Sequence, residues 1–258
     1  MAKRKVPLTR FPDAVAVSYN RAITKMVREL GKETLKMFDQ HIERQIELNR
    51  KDKHDFIVDG FFDVFKSIFQ SFKNKASKTF SSKRKEDAAG TFLASLNQFN
   101  KSNMFQQGRI RGIDPTKTEP WLNNFMKAKV AENVNYITKI QDDYVEKIEE
   151  IIETGVKGGT NPKVIRNQLV ERIGMTESRA QFIAVDQAGS ILGQMTAKRH
   201  QQMGVEKFKW LTSKDERVRE SHRELSDMVF TYDDPPEVGL PGEDYRCRCV
   251  AIPVFDDD

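Results

Sequence analysis

The sequence predicts a mainly α protein with a small α+β unit at its C-terminus: long N-terminal helices, a three-helix middle and a short β-sheet at the end. Three observations carry this reading. Apolar residues recur every three or four positions along residues 12–50 and again across 121–204. The period changes to alternation at "VEKFKWL", where Phe208 and Trp210 interleave with lysines. Clusters of Gly, Pro, Asn and Asp separate these stretches, at 108–120, 158–162 and 233–244.

Residues 12–50 read as one long helix. Tyr19, Ile23, Met26, Leu30, Phe38, Ile42 and Ile46 form its apolar stripe, with one longer gap around Leu35. A stretch rich in phenylalanine follows, with Phe56, Phe61, Phe62, Phe65, Phe69, Phe72 and Phe80; it suits either core packing or an apolar docking surface. "KNKASKTFSSKRK", residues 73–85, holds Lys73, Lys75, Lys78, Lys83, Arg84 and Lys85 and no acid. It reads as a mobile loop able to track phosphates, although Phe80 alone does not make a stacking platform. A short helix follows over residues 88–105, and the loop at 108–120 marks the main boundary. The expected division is therefore a helical, Phe-rich and basic docking region at 1–120 and a second domain at 121–258.

The second domain divides further, into helices over 121–204 and an α+β unit over 205–254. A first helix ends near Gly155. Asn161 caps a second with Pro162 in its first turn, and Gly174 ends it. Thr176 starts a third, closed by Gly204. After the "VEKFKWL" strand, Ser213 and Glu216 have the spacing of a capping box for a short helix carrying Arg217, Arg219 and His222. "MVFTY" and "RCRCVAIPV" supply the remaining strands.

Charge is uneven. Residues 1–110 hold 22 Lys and Arg against 12 Asp and Glu, and the remainder 21 against 26. The basic half fits a polyanion or an acidic protein surface, or simply solvated helix faces. No run of about 18 apolar residues spans a membrane. "MAKRKVPLTRF" lacks the apolar run of a signal peptide, and two cysteines make no disulfide framework. Synthesis and use in a reducing cytoplasm are expected.

The two cysteines sit in "YRCRCV". On a strand, Cys247 and Cys249 face the same side, with Cα atoms about 6.5 to 7 Å apart. That spacing strains a disulfide, whereas two thiolates converge on one zinc ion easily. His222 is the best third ligand, with Asp215 or Asp244 as fourth. The alternative is two small residues packed on a strand, with His222 bonded to a carbonyl. Asp215, Arg217 and His222 beside thiols also raise a metal-dependent hydrolase, but no P-loop, GxSxG or deaminase motif accompanies them.

"RAQFIA", "KWLTSKDERVRESH" and "PGEDYRCRC" together resemble the C-terminal domain of the phage Mu F-type minor head proteins. The matching positions are Arg179, Ala180, Ile183, Ala184, Gly204, Trp210, Thr212, Asp215, Arg217, Val218, Arg219, His222, Pro241, Gly242, Cys247, Arg248, Cys249 and Pro253, and the resemblance covers about 121–254. Many such proteins carry CxxC in the short helix and HPxCRC in the last strand. Here Arg219 stands at the first of those cysteines, His222 at the second, and Asp244 near the histidine. The resemblance implies either one structural zinc on His222, Cys247 and Cys249, or a polar network of Asp215, Arg217 and Arg219 replacing it. It further implies a minor head protein of a tailed phage, not an enzyme. Such a protein is made in the host cytoplasm and sits in the virion near the portal vertex. It acts in head assembly and DNA delivery, with the portal protein, packaged DNA and the major capsid or scaffolding protein as partners. A DNA-binding internal head protein and a metal-dependent hydrolase are the rival expectations.

Overall fold

A computed structural model describes residues 5–51 and 58–255. Phe56 and the first four residues of the N-terminal stretch lie outside the described residues, as do the side chains of Phe61 and Phe62. The elements, in order, are α1 (Asp13–Met37), a π turn (Phe38–Ile42), α2 (Glu43–Lys51), α3 (Val58–Thr79), α4 (Ser82–Gly108), a 3-10 turn (Arg109–Arg111), α5 (Leu122–Lys157), α6 (Pro162–Gln202), β1 (Lys207–Leu211), α7 (Glu220–Glu224), β2 (Val229–Thr231) and β3 (Val250–Val254). The expected mainly α fold with a small C-terminal α+β unit is what the chain adopts. Among the described residues no helix is long and apolar enough to cross a membrane.

The chain divides into two compact units. Unit 1 comprises residues 1–20, 89–133 and 182–258, and unit 2 comprises 21–88 and 134–181. Each draws on residues from both sides of position 120, so the compact units do not follow the two consecutive regions read from the sequence.

Unit 2 is all helix. The predicted stripe of α1 is buried from Ile23 onward, through Met26 and Leu30 to Phe38 and Ile42. Its apparent gap is filled by Thr34, which is fully buried; its hydroxyl bonds Leu30 O at 3.0 Å and the Tyr144 hydroxyl at 2.7 Å. Phe65, Phe69, Phe72 and Phe80 are core residues, the first three in a row with ring centroids 5.3 and 5.4 Å apart, the first pair stacked and the second tilted.

The expected loop at 73–85 is instead the end of α3, one tight turn and the start of α4. Its Lys, Ala and Ser residues do not oppose a helix strongly, and Phe72, Ala76 and Phe80 anchor it in the core. Four of its six cationic side chains are answered within the unit. Lys73 pairs with Glu149 at 3.1 Å, Lys75 with Glu33 at 2.7 Å and Arg84 with Glu29 at 2.7 Å, while Lys85 donates to Thr138 at 2.9 Å.

The middle holds two helices, not three, because α6 runs unbroken through Gly174. A glycine in a helix interior costs only about 1 kcal/mol relative to alanine. The buried residues Ile165, Leu169 and Ala180 continue on both sides of it. Thr176, expected as a cap, bonds back to Arg172 O at 2.9 Å, as an interior threonine does. Asn161 does cap α6, accepting from Lys163 N–H at 2.9 Å. At the far end Gly204, with φ of 73°, follows the helix as expected, and Val205 N–H bonds His200 O at 3.0 Å.

In unit 1 the sheet order is β2-β1-β3, all antiparallel. Phe208 pairs with Pro253 and Trp210 with Ala251, which sets both aromatic residues on the buried face. Two buried polar centres tie α6 to α4. The Arg199 guanidinium has no exposed surface and forms a double contact with Glu119 at 2.7 and 3.1 Å. Asn100 and Asn97 each accept from it at 2.7 Å. Next to it, the Tyr232 hydroxyl donates to His200 Nδ1, His200 Nε2 donates to Gln107 Oε1 at 3.0 Å, and the Gln107 amide donates to Thr9 and Pro7 O.

Glu119→Gln keeps the shape of that contact and removes the counter-charge of a buried cation. The expected loss is about 3 kcal/mol in urea unfolding. His200 supplies a pH test. Burial pushes its pKa down to about 3, so it stays neutral in the fold while the unfolded chain protonates near pH 6.5. Stability is therefore unaffected above that value and falls as pH drops from about 6.5 toward 3. The expected loss from pH 7.5 to 5.5 is about 1.4 kcal/mol, and a His200→Gln variant lacks that part of the pH dependence.

Candidate metal centre

The C-terminal unit starts from a turn, not from the expected capping box. Lys214 takes a φ of 58°, and the Asp215 side chain accepts from Arg217 N–H at 3.1 Å, so the chain turns at Ser213–Glu216 instead of coiling. The helix begins only at Glu220, with Arg219 in the capping position and Arg217 left in the turn. β3 likewise starts at Val250, so the two cysteines lie just before it, outside the ladder. The turn that precedes them, with Arg246 at φ 53°, aims both sulfurs at α7.

The result is a cluster of His222, Cys247 and Cys249, all buried, with ligand atoms within 4.8 Å of one another. His222 Nδ1 lies 3.4 Å from Cys247 Sγ and 3.6 Å from Cys249 Sγ. Its Nε2 lies 2.9 Å from Asp244 Oδ2. This is the arrangement in which a carboxylate orients a metal-binding imidazole. Asp244 thus holds the far side of His222 and is bonded to Arg219, which also reaches Tyr245 O. Asp215 pairs with Arg248. Among the described residues neither carboxylate joins the cluster as a fourth ligand. The expected Asp215–Arg217–Arg219 network is split into an Arg219–Asp244–His222 chain and an Asp215–Arg248 pair.

The two thiols are unequal. Cys247 is drawn down to about 6, first by the hydrogen bond from Cys249 and then by backbone N–H groups and His222, against the opposing effect of burial. Cys249 is pushed up, chiefly by donating that hydrogen bond and also by burial. The Trp210 indole N–H is buried without a partner at full hydrogen-bonding distance, yet it favours the ionised form of Cys249. An orphaned donor beside a thiol finds its match when that sulfur becomes a thiolate. Two thiols, one oriented imidazole and a waiting N–H donor fit a soft divalent ion such as zinc. Bound there, zinc would supply a cross-link between α7 and the segment entering β3, with the cysteines as thiolates and the imidazole neutral.

The sequence reading missed what seats the cysteine turn. Gly189 and Gly193, four apart on α6, lie under it: a Cβ on Gly189 would strike Cys247 O, and one on Gly193 would strike Pro241 O. Gly242 has a φ of 98°, and a Cβ there would strike Gly189 O. The spacing of the two helix glycines is visible in "AGSILG", but nothing in the sequence says which backbone approaches them. Asp186 adds a contact, accepting from Arg246 N–H at 3.0 Å.

The helices thus carry a three-stranded unit that contains a buried Cys–Cys–His cluster able to hold a metal ion. Residues 146–252 match the family described as Phage Mu protein F like protein, so the resemblance read from the motifs holds over that stretch. Among curated proteins, the chain is 29% identical over 239 residues to an uncharacterized protein of Haemophilus influenzae, covering 90% of this chain and 53% of that one. It is 30% identical over 118 residues to an uncharacterized protein of Methanocaldococcus jannaschii, covering 45% and 18%. It is 26% identical over 159 residues to an NAD(+)–arginine ADP-ribosyltransferase of Enterococcus faecalis, covering 55% and 33%. The chain thus spans about half the length of the first relative and a third or less of the others. No solved structure matches it.

Elemental analysis of protein purified without a histidine tag or added metal tests the site. About one zinc per chain is expected, and Cys247→Ser should lose it together with several degrees of thermal stability. A metal-free chain in which Cys247→Ser costs no more than about 1 to 2 kcal/mol would leave only packing residues.

Proposed function

We propose that this protein is a minor head protein of a tailed phage, located at the portal vertex and acting in head assembly and DNA delivery. The observation that supports it is the family match over residues 146–252, with the cysteine cluster at the positions that the match covers. The physical role of the cluster in this reading is structural. His222, Cys247 and Cys249 are 3%, 4% and 3% exposed, a burial that suits a cross-link better than a centre open to substrate. The Cys–Cys–His set draws α7 toward β1 and β3, holding a small sheet in place where apolar burial alone is limited.

The long helices supply rigid surfaces, and the portal is the partner they serve. The likeness to the ADP-ribosyltransferase covers a third of that protein and lends no catalytic step to this chain. Expression with the portal protein of the same phage tests the assignment. The full chain should co-purify with the portal ring and be missing from heads assembled without it. Normal incorporation into portal-less heads would remove the portal from the proposal, and chelator-sensitive hydrolytic turnover would replace the structural reading with an enzymatic one.

A further inference from the structure

Unit 1 has a basic surface that the charge runs of the sequence do not single out. Lys101, Phe105 and Arg109 follow one another at intervals of four, on α4 and the 3-10 turn that ends it, and so share one helical face. Phe105 is 44% exposed, and the Arg109 guanidinium lies 5.9 Å over its ring. Beside this row a cleft of about 450 Å³ opens, with Lys101, Ser102 and Phe105 on one side and Thr116 and Lys117 on the other. Its one acid, Asp114, is already engaged: it accepts from Thr116 N–H at 3.0 Å and Thr116 Oγ1 at 2.8 Å. Those bonds, and then the charges of Lys117 and Lys101, hold it below the ordinary carboxylate range. Two lysines thus flank a single committed carboxylate, and Arg109 adds a third cation on the far side of the same row, over the Phe105 ring.

We propose that this row and cleft bind single-stranded nucleic acid, with an unpaired base stacked on Phe105 and phosphates held by Lys101, Arg109 and Lys117. A flat aromatic face set between cations is the pattern of single-strand binders. The hydroxyls of Ser102 and Thr116 add the uncharged donors that commonly accompany phosphate contacts. An acidic peptide would use the cations but has no need of an exposed ring. The 73–85 segment lacks this pattern, and four of its six cations already have partners in unit 2. The proposal stands on unit 1 alone and does not depend on the portal assignment.

Fluorescence anisotropy with the full chain tests it, using a labelled oligothymidylate and a duplex of equal length across about 50 to 300 mM salt. The single strand should bind more tightly than the duplex. Lys101→Gln with Lys117→Gln should reduce the salt slope by about 1.4, the share of two single-strand phosphates. Phe105→Ala should weaken binding about tenfold and leave the slope unchanged. Lys78→Gln with Lys83→Gln should change neither. All the replaced side chains are exposed, and thermal melts confirm that the variants fold. No binding at about 50 mM salt overturns the proposal. So does equal binding of duplex with Phe105→Ala silent, or tighter binding of labelled polyglutamate, which would make the surface a dock for acidic protein.

Discussion

A guanidinium with no exposed surface must be answered in full or the fold that buries it fails. Arg199 is such a group, and its partners are drawn from separate segments of unit 1: Asn97 and Asn100 on α4, Glu119 in the loop before α5, and the ring of Trp121 with its centroid 5.8 Å away. His200, one position on, extends the same demand to Gln107, Thr9 and Tyr232. These bonds are directional, so they fix which faces of α4 and α6 meet and where the N-terminal segment crosses them. Apolar packing alone tolerates slippage between helices more readily.

The sequence showed what periodicity carries. The stripe of α1, the alternation of β1, the turn at Gly204 and the Asn161 cap are local patterns, and each is present in the fold. Local pattern failed where two signals compete. Gly174 and Thr176 look like a stop and a start, yet the apolar period runs through them and the tertiary face outweighs a cost of about 1 kcal/mol. The lysines of 73–85 look solvated, yet Phe72, Ala76 and Phe80 at helical spacing mark a buried face. Thr34, Arg199 and His200 were invisible as core because a polar residue announces its burial only through partners, and those partners lie up to about a hundred positions away.

The candidate metal site was legible in kind but not in detail. The spacing of Cys247 and Cys249 and the position of His222 predicted one cluster, and the three groups do meet. The roles of the charged residues did not follow from spacing. Spacing makes Asp244 a candidate ligand, whereas in the fold it bonds the far ring nitrogen of His222, because the turn through Arg246 brings its carboxylate there. Arg219 neutralises that carboxylate and closes the turn through Tyr245 O. The guanidinium thus adds an ionic clasp outside the three donors of the cluster.

The stretch matched to the family, residues 146–252, is not the same thing as a compact unit of this fold. Its first 36 residues lie in unit 2. Within unit 1 the matched part contains Arg199 and His200, but Asn97, Asn100, Gln107 and Glu119, which bond them, and Thr9, which bonds Gln107, all precede it. Cut free at its own boundary, the matched segment would carry a buried cation without its carboxylate and an imidazole without its acceptor. Each such loss costs more than a surface contact returns. The cysteine cluster cannot compensate, because it closes α7 on the turn before β3 and touches none of those groups. The N-terminal half, which bears no recognisable motif, is therefore a structural requirement of the motif-bearing half. Any partner that grips α4 or the N-terminal segment acts on the same polar contacts that hold α6, the helix on which the cysteine turn is seated.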